Sequence, residues 1–155
     1  MRLKPRFRYA VYAATAVLFL SGVGWFAADW QKEGVNGETW QQIAVYLLML
    51  HGGGAMVTLL LLGALIPVHV LRAWRRGNNL AMGSVMVALN AILIVTAFGL
   101  YYLGSEAVRP WMSWVHLAFG VLLPGLLVLH IFLGRQRAQA LVASETAAGV
   151  FLRQP

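Results

Sequence analysis

Cysteine is absent from the 155 residues, and no Asp or Glu falls within the long apolar runs. The first absence rules out attachment of a prosthetic group through Cys-x-x-Cys-His. The second matters because membrane transporters of metals and protons usually keep carboxylates inside the bilayer. Charge is scarce altogether, at 11% of residues against 60% hydrophobic, with a mean hydropathy of +0.71. So little polar surface cannot cover a soluble globule, and the composition is that of a membrane protein. Also missing are a glycine-rich phosphate loop ahead of Lys-Ser/Thr, a Gly-x-Ser-x-Gly elbow and a dinucleotide fingerprint.

What is present is four apolar runs: Tyr9 to Ala28, Ile43 to Leu71, Leu80 to Leu103 and Trp111 to Gly134. Each reaches the roughly 20 residues that a helix needs to cross the hydrocarbon. The expected fold is therefore an all-α membrane protein, a four-transmembrane-helix bundle occupying residues 1–135 with spans near 9–28, 43–71, 80–103 and 111–134. Residues 136–155 are expected to form a partly ordered C-terminal tail. The first run starts like a secretory signal, but Phe26-Ala27-Ala28 makes a poor cleavage site, so it reads as a retained span. Connections this short leave no room for a soluble domain, and any catalytic partner domain is expected on another polypeptide.

Basic residues set the expected orientation. Arg2, Lys4, Arg6 and Arg8 precede the first span, Arg72, Arg75 and Arg76 follow the second, and Arg135, Arg137 and Arg153 follow the fourth, whereas Lys32 and Arg109 lie on the other side. Both termini are thus expected in the cytoplasm. The net charge of +7 then reflects topology and attraction to anionic lipid head groups, with no nucleic-acid partner. Trp25, Trp30, Trp40, Trp111 and Trp114 fall near the outer boundary and Trp74 near the inner one, as interfacial tryptophans do.

All four histidines lie inside two of the runs, His51 and His69 in the second and His116 and His130 in the fourth. An intramembrane imidazole is costly without a partner and marks a candidate site. At about 100° per residue, the eighteen residues from His51 to His69 complete five turns, and the fourteen from His116 to His130 fall about 40° short of four. Each helix therefore presents its histidines on one face. Spans two and four run in the same direction, so facing helices would pair His51 with His116 toward the outside and His69 with His130 toward the inside.

Axial ligation of haem iron by two neutral imidazoles fits this arrangement, and low-spin iron with both axial positions filled carries electrons instead of binding oxygen. Without cysteine, the haems would be b-type. The histidine faces read His51, Ala55, Thr58, Leu62, Leu65, His69 and His116, Gly120, Leu123, Leu127, His130, Gly134. Small residues such as Gly120 leave space for a porphyrin edge, and they equally allow close helix packing. The run Gly52-Gly53-Gly54 is read as backbone passing close to the macrocycle. Anionic propionates would be met by Arg72, Arg75, Arg76 and Arg135 on the inner side and by Arg109 and Lys32 on the outer. Asn90 is expected to bond a neighbouring helix, and Tyr101, Tyr102 and Glu106 are candidates for an outer quinol site.

The segments Trp-Val-His116-Leu-Ala-Phe-Gly and Leu-Val-Leu-His130-Ile-Phe-Leu-Gly-Arg, with their fourteen-residue spacing and the parallel pairing with a second two-histidine helix, resemble the transmembrane di-haem cytochromes b. That group includes the cytochrome b561-like membrane subunits of bacterial respiratory enzymes. The resemblance covers spans two and four and implies four axial ligands in a bacterial inner-membrane protein. It further implies electron exchange between quinone and a partner protein; a chain of this size is expected to work in a complex, with a periplasmic cytochrome c, an iron–sulfur protein or a dehydrogenase as partner. The spacings differ between the two helices, about 27 Å against about 21 Å at 1.5 Å per residue. Tilt, kinks at Pro67 and Pro124 or inclined haems could absorb this; otherwise a single pair ligates, and the inner pair is then the better candidate. Two readings from other classes stand beside the cytochrome: a metal or proton transporter with a histidine relay, and a haem-free anchor or assembly subunit.

Overall fold

The computed structural model describes residues 4–75, 77 and 80–151. Arg2, Arg76 and Arg153, read above as orientation or propionate residues, lie outside them. The described chain is helical, in four long rods: α1 (Pro5–Gln31), α2 (Gly37–Arg75), α3 (Leu80–Tyr102) and α4 (Arg109–Phe151). All four contain a stretch long and apolar enough to cross a membrane. No strand occurs among the described residues. Large apolar side chains point outward along the rods, among them Leu20, Met56, Leu60, Val95 and Phe98. Water would not tolerate such a surface, whereas lipid is its natural solvent.

Local chemistry explains the ends. Pro5 opens α1, where its missing N–H costs nothing. The α1–α2 turn closes on Asn36, whose φ of 66° lies in the left-handed region that asparagine tolerates. A β-carbon on the next residue, Gly37, would collide with the carbonyl of Lys32. At the far end, α4 does not stop at Gly134. It continues as helix to Phe151, so the segment expected as a partly ordered tail is largely helical; its alanines and absence of proline before Pro155 favour that state.

Packing is organised as two hairpins. Between α1 and α2, small residues admit side chains from the opposite helix: a β-carbon at Gly24 would sit 3.2 Å from Leu47, and one at Gly54 would sit 3.2 Å from Val17. Between α3 and α4, Gly99 receives the Met112 sulfur in the same way, at 3.2 Å. Extended contact joins α1 to α2 and α3 to α4, with a smaller contact between α1 and α4. The helices α2 and α4 make no such extended approach. What meets across the space between them is imidazole.

A π-helical turn interrupts α2 at Ile66–Val70. Pro67 has no N–H to offer the carbonyl four residues back, and the ladder lengthens so that the Leu71 N–H reaches the Ile66 carbonyl. A wider turn advances less along the axis per residue. This takes up part of the mismatch between the eighteen-residue and fourteen-residue spacings, and His69 lies within that turn.

Candidate functional site: two facing imidazole pairs

The residues of α2 that are shielded from the surroundings include His51, Ala55, Thr58, Leu62, Leu65 and His69, and in α4 they include His116, Gly120, Leu123, Leu127 and His130. Both histidine faces therefore look into the bundle. The His51 and His116 ring centres are 6.1 Å apart, with the ring planes at 74°. Those of His69 and His130 are 6.0 Å apart, at 81°. The two pairs meet in the same order along α2 and α4, so these helices run in the same direction.

The distance can be compared with what a shared metal would need. With a metal–imidazole bond of about 2.0–2.1 Å and ring nitrogens about 1.1 Å from the ring centre, two imidazoles on opposite sides of one ion have centres about 6.2–6.4 Å apart. Both pairs come within a few tenths of an ångström of that value. Edge-to-face ring contact covers the same range, and the ring planes at 74° and 81° are edge-to-face in orientation. The Nδ1 of His51 lies 3.0 Å from the Ser21 hydroxyl on α1, and that of His116 lies 2.8 Å from the Thr96 hydroxyl on α3. In the other pair, Nδ1 of His130 is buried without a hydrogen-bond partner. A buried polar atom left unmatched costs about 1–3 kcal/mol.

The donor set is also informative. Among the described residues no three or more His, Cys, Asp or Glu side chains come together. Structural zinc takes four protein ligands, and calcium six to eight oxygens. The two facing imidazoles of each pair supply two donors.

Glycines around the pairs divide into two kinds. Gly22 lies against His51: a β-carbon there would be 3.3 Å from Cε1 and 3.4 Å from Nδ1 of the ring. At Gly120, one turn beyond His116, a β-carbon would meet nothing within 4 Å, as is also the case at Gly63 and Gly125. Pro124 also leaves the Gly120 carbonyl without its usual helical donor. The glycine triplet does not behave as expected. Gly54 seats Val17 and Leu18, while Gly52 and Gly53 are exposed on another side of α2. Successive residues are about 100° apart on a helix, and three in a row cannot share the face of His51.

Other candidates fall outside the histidine faces. Arg72, Arg75 and Arg135 are exposed at the end of the bundle that holds His69 and His130, and Arg109 is exposed at the other end. Lys32 forms an ion pair with Asp29 at 2.9 Å; that hydrogen bond and the carboxylate charge hold its ammonium above its ordinary pKa. Asn90 donates to the Met86 carbonyl of its own helix at 2.8 Å instead of bonding a neighbour. The Tyr101 and Tyr102 rings lie with centres 5.4 Å apart and planes tilted by 55°, and both are largely exposed, as interfacial anchors are.

The sequence reading missed three residues. Ser21 and Thr96 lie on spans read merely as walls, and isolated hydroxyls in apolar helices carry no periodic signal. Arg8, read only for orientation, is half-buried with an Nε that is shielded and lacks a hydrogen-bond partner. No family model, curated protein or solved structure matches the chain.

Proposed function

We propose that this is a membrane b-type cytochrome that carries electrons across the bilayer through two haems, one held by His51 and His116 and the other by His69 and His130. The observation that carries the reading is the repeat of one geometry at two levels: opposed imidazoles with centres 6.1 and 6.0 Å apart on helices that otherwise stay separate. Fourteen helical residues separate the levels by about 21 Å along α4, a large share of a hydrocarbon core of about 30 Å. A haem held there would supply one-electron ferric/ferrous chemistry. The protein's part is to present neutral imidazoles, exclude water with Leu62, Leu65, Leu123 and Leu127, and balance the propionate charge. Arg8, Arg72 and Arg135 are the cations assigned to the His69/His130 end, and Gly120 clears space on the α4 face.

Arginine placement supports cytoplasmic termini in a bacterial inner membrane. A quinone is the lipid-soluble partner that this reading implies. An open apolar cleft of about 460 Å³ between α1 and α4, lined in part by Tyr12, Phe19, Leu127 and Ile131, is the surface assigned to its ring or tail. The other redox partner is a further subunit of the complex, a periplasmic cytochrome c or an iron–sulfur protein.

The test is a reduced-minus-oxidised absorption spectrum of the purified protein, in which a sharp α band of a low-spin b haem is expected. A colourless protein that binds zinc or copper would instead point to transport, and one that binds neither to an anchoring role. The lack of native cysteine makes orientation directly measurable. In intact cells, Ser105→Cys is expected to react with an impermeant maleimide and Gln136→Cys to remain unlabelled until the cells are lysed; the reverse pattern would invert the topology.

A further inference from the structure

Ser21 and Thr96 are the buried polar side chains among the described residues, at 2% and 5% exposure. Each hydroxyl lies close to carbonyls of its own helix. Ser21 Oγ is 2.6 Å from the Val17 oxygen and 3.2 Å from that of Leu18, and Thr96 Oγ1 is 2.8 Å from the Ile92 oxygen and 3.2 Å from that of Leu93. Carbonyls only accept, and a hydroxyl has one proton to give. That proton goes to the helix, so the hydroxyl oxygen faces the imidazole as an acceptor and the histidine Nδ1 must donate. A neutral imidazole with its proton on Nδ1 has its lone pair on Nε2.

Hydroxyls that bond back to a carbonyl four residues earlier are ordinary in membrane helices. Thr15 and Thr58 do the same, at 2.9 and 2.8 Å, but both are only half-buried. The pairing of a fully buried hydroxyl with an imidazole occurs once in each hairpin, α1 to α2 and α3 to α4. Two unrelated stretches of sequence have thus arrived at one device.

Resting on the two-haem reading, the geometry points to Ser21 and Thr96 as the positioning residues of the His51/His116 centre. They hold both rings in the Nδ1–H tautomer, aim the two Nε2 lone pairs at the shared metal position, and keep the ring planes crossed near the observed 74°. An Nδ1–H donated to oxygen makes the imidazole a more basic ligand, which favours ferric iron and lowers the potential of this centre. The His130 ring, whose Nδ1 has no hydrogen-bond partner, receives no such help from a hydroxyl. The two centres are therefore tuned differently.

The experiment compares the full chain with Ser21→Ala and Thr96→Val in lipid nanodiscs, using two readouts. The first needs no haem: ¹⁵N imidazole shifts of histidine-labelled haem-free protein should show protonated Nδ1 at His51 and His116. That fixed tautomer should be lost at the matching residue in each variant and recovered in Ser21→Thr and Thr96→Ser. The second is a redox titration with ferric electron paramagnetic resonance at saturating haem. One centre should move to higher potential with altered g values and hold haem about 10- to 100-fold less tightly, while the other stays unmoved. An Nε2–H tautomer at either residue in the wild type, or two unmoved centres in both variants, overturns the assignment. A wild-type chain that shows the Nδ1–H tautomers yet binds no haem overturns the haem reading and leaves the hydroxyl assignment in place.

Discussion

His130→Ala is expected to halve bound haem, from two per chain to one, and to stop electrons crossing a sealed vesicle from an impermeant reductant to a trapped acceptor. His130 faces His69 alone among the histidines, at a ring separation of 6.0 Å, so its loss leaves one axial ligand for that centre. The partner variant His69→Ala should match it, and the double variant His69→Ala/His130→Ala should be no worse than either. Residues that act on one ligand as a unit are non-additive. By contrast, His116→Ala/His130→Ala draws one ligand from each pair and should lose both haems. The difference between the two double variants tests the pairing itself. Equal haem loss in both would mean that the four imidazoles do not act as two pairs.

Gly22→Val is expected to remove the His51/His116 centre while preserving the other. Even a β-carbon at residue 22 lies 3.3 Å from the His51 ring, tighter than ordinary van der Waals contact, and the branched methyls of valine add volume in the same place. The ring must swing away from both Ser21 and His116. One helix turn of displacement is unnecessary, since metal ligation is lost when a donor moves by a fraction of an ångström. Gly63→Val is the control: a β-carbon there meets nothing within 4 Å, and haem content should be unchanged. Haem per chain, measured in membranes at equal expression, reads the result. Two haems retained in Gly22→Val would show that the His51 position is not used for ligation.

How far the sequence leads to this arrangement depends on the kind of signal. A period of 3.6 residues places His51 with His69, and His116 with His130, on one face of each helix, because that rule depends only on residues within one helix. The matched depth of the pairs also follows, from alternating spans with short turns. Contacts between helices are different. That Ser21 faces His51 depends on the length of the turn from Lys32 to Asn36 and on rotation of α1 about its axis, neither of which a single hydroxyl reveals. The proline at 67 signals a break in the ladder, yet whether it yields a kink or a π turn is decided by which carbonyl the next N–H groups can reach. Gly52, Gly53 and Gly54 mislead because a glycine run reads as one feature, although the helix distributes it over different faces. The arginines at 72 and 135 mark an end of the bundle without revealing whether they reach its interior. Arg8, one of a cluster of basic residues, is the one found with a shielded Nε.

The central claim is that each imidazole pair grips one haem, and the most direct measurement is the ratio of b haem to protein in the purified full chain, by pyridine haemochrome against quantitative amino-acid analysis. Two per chain, both low-spin in the ferric state, is the predicted result. A chain that folds in lipid and carries no haem after expression with excess haem supply would contradict it.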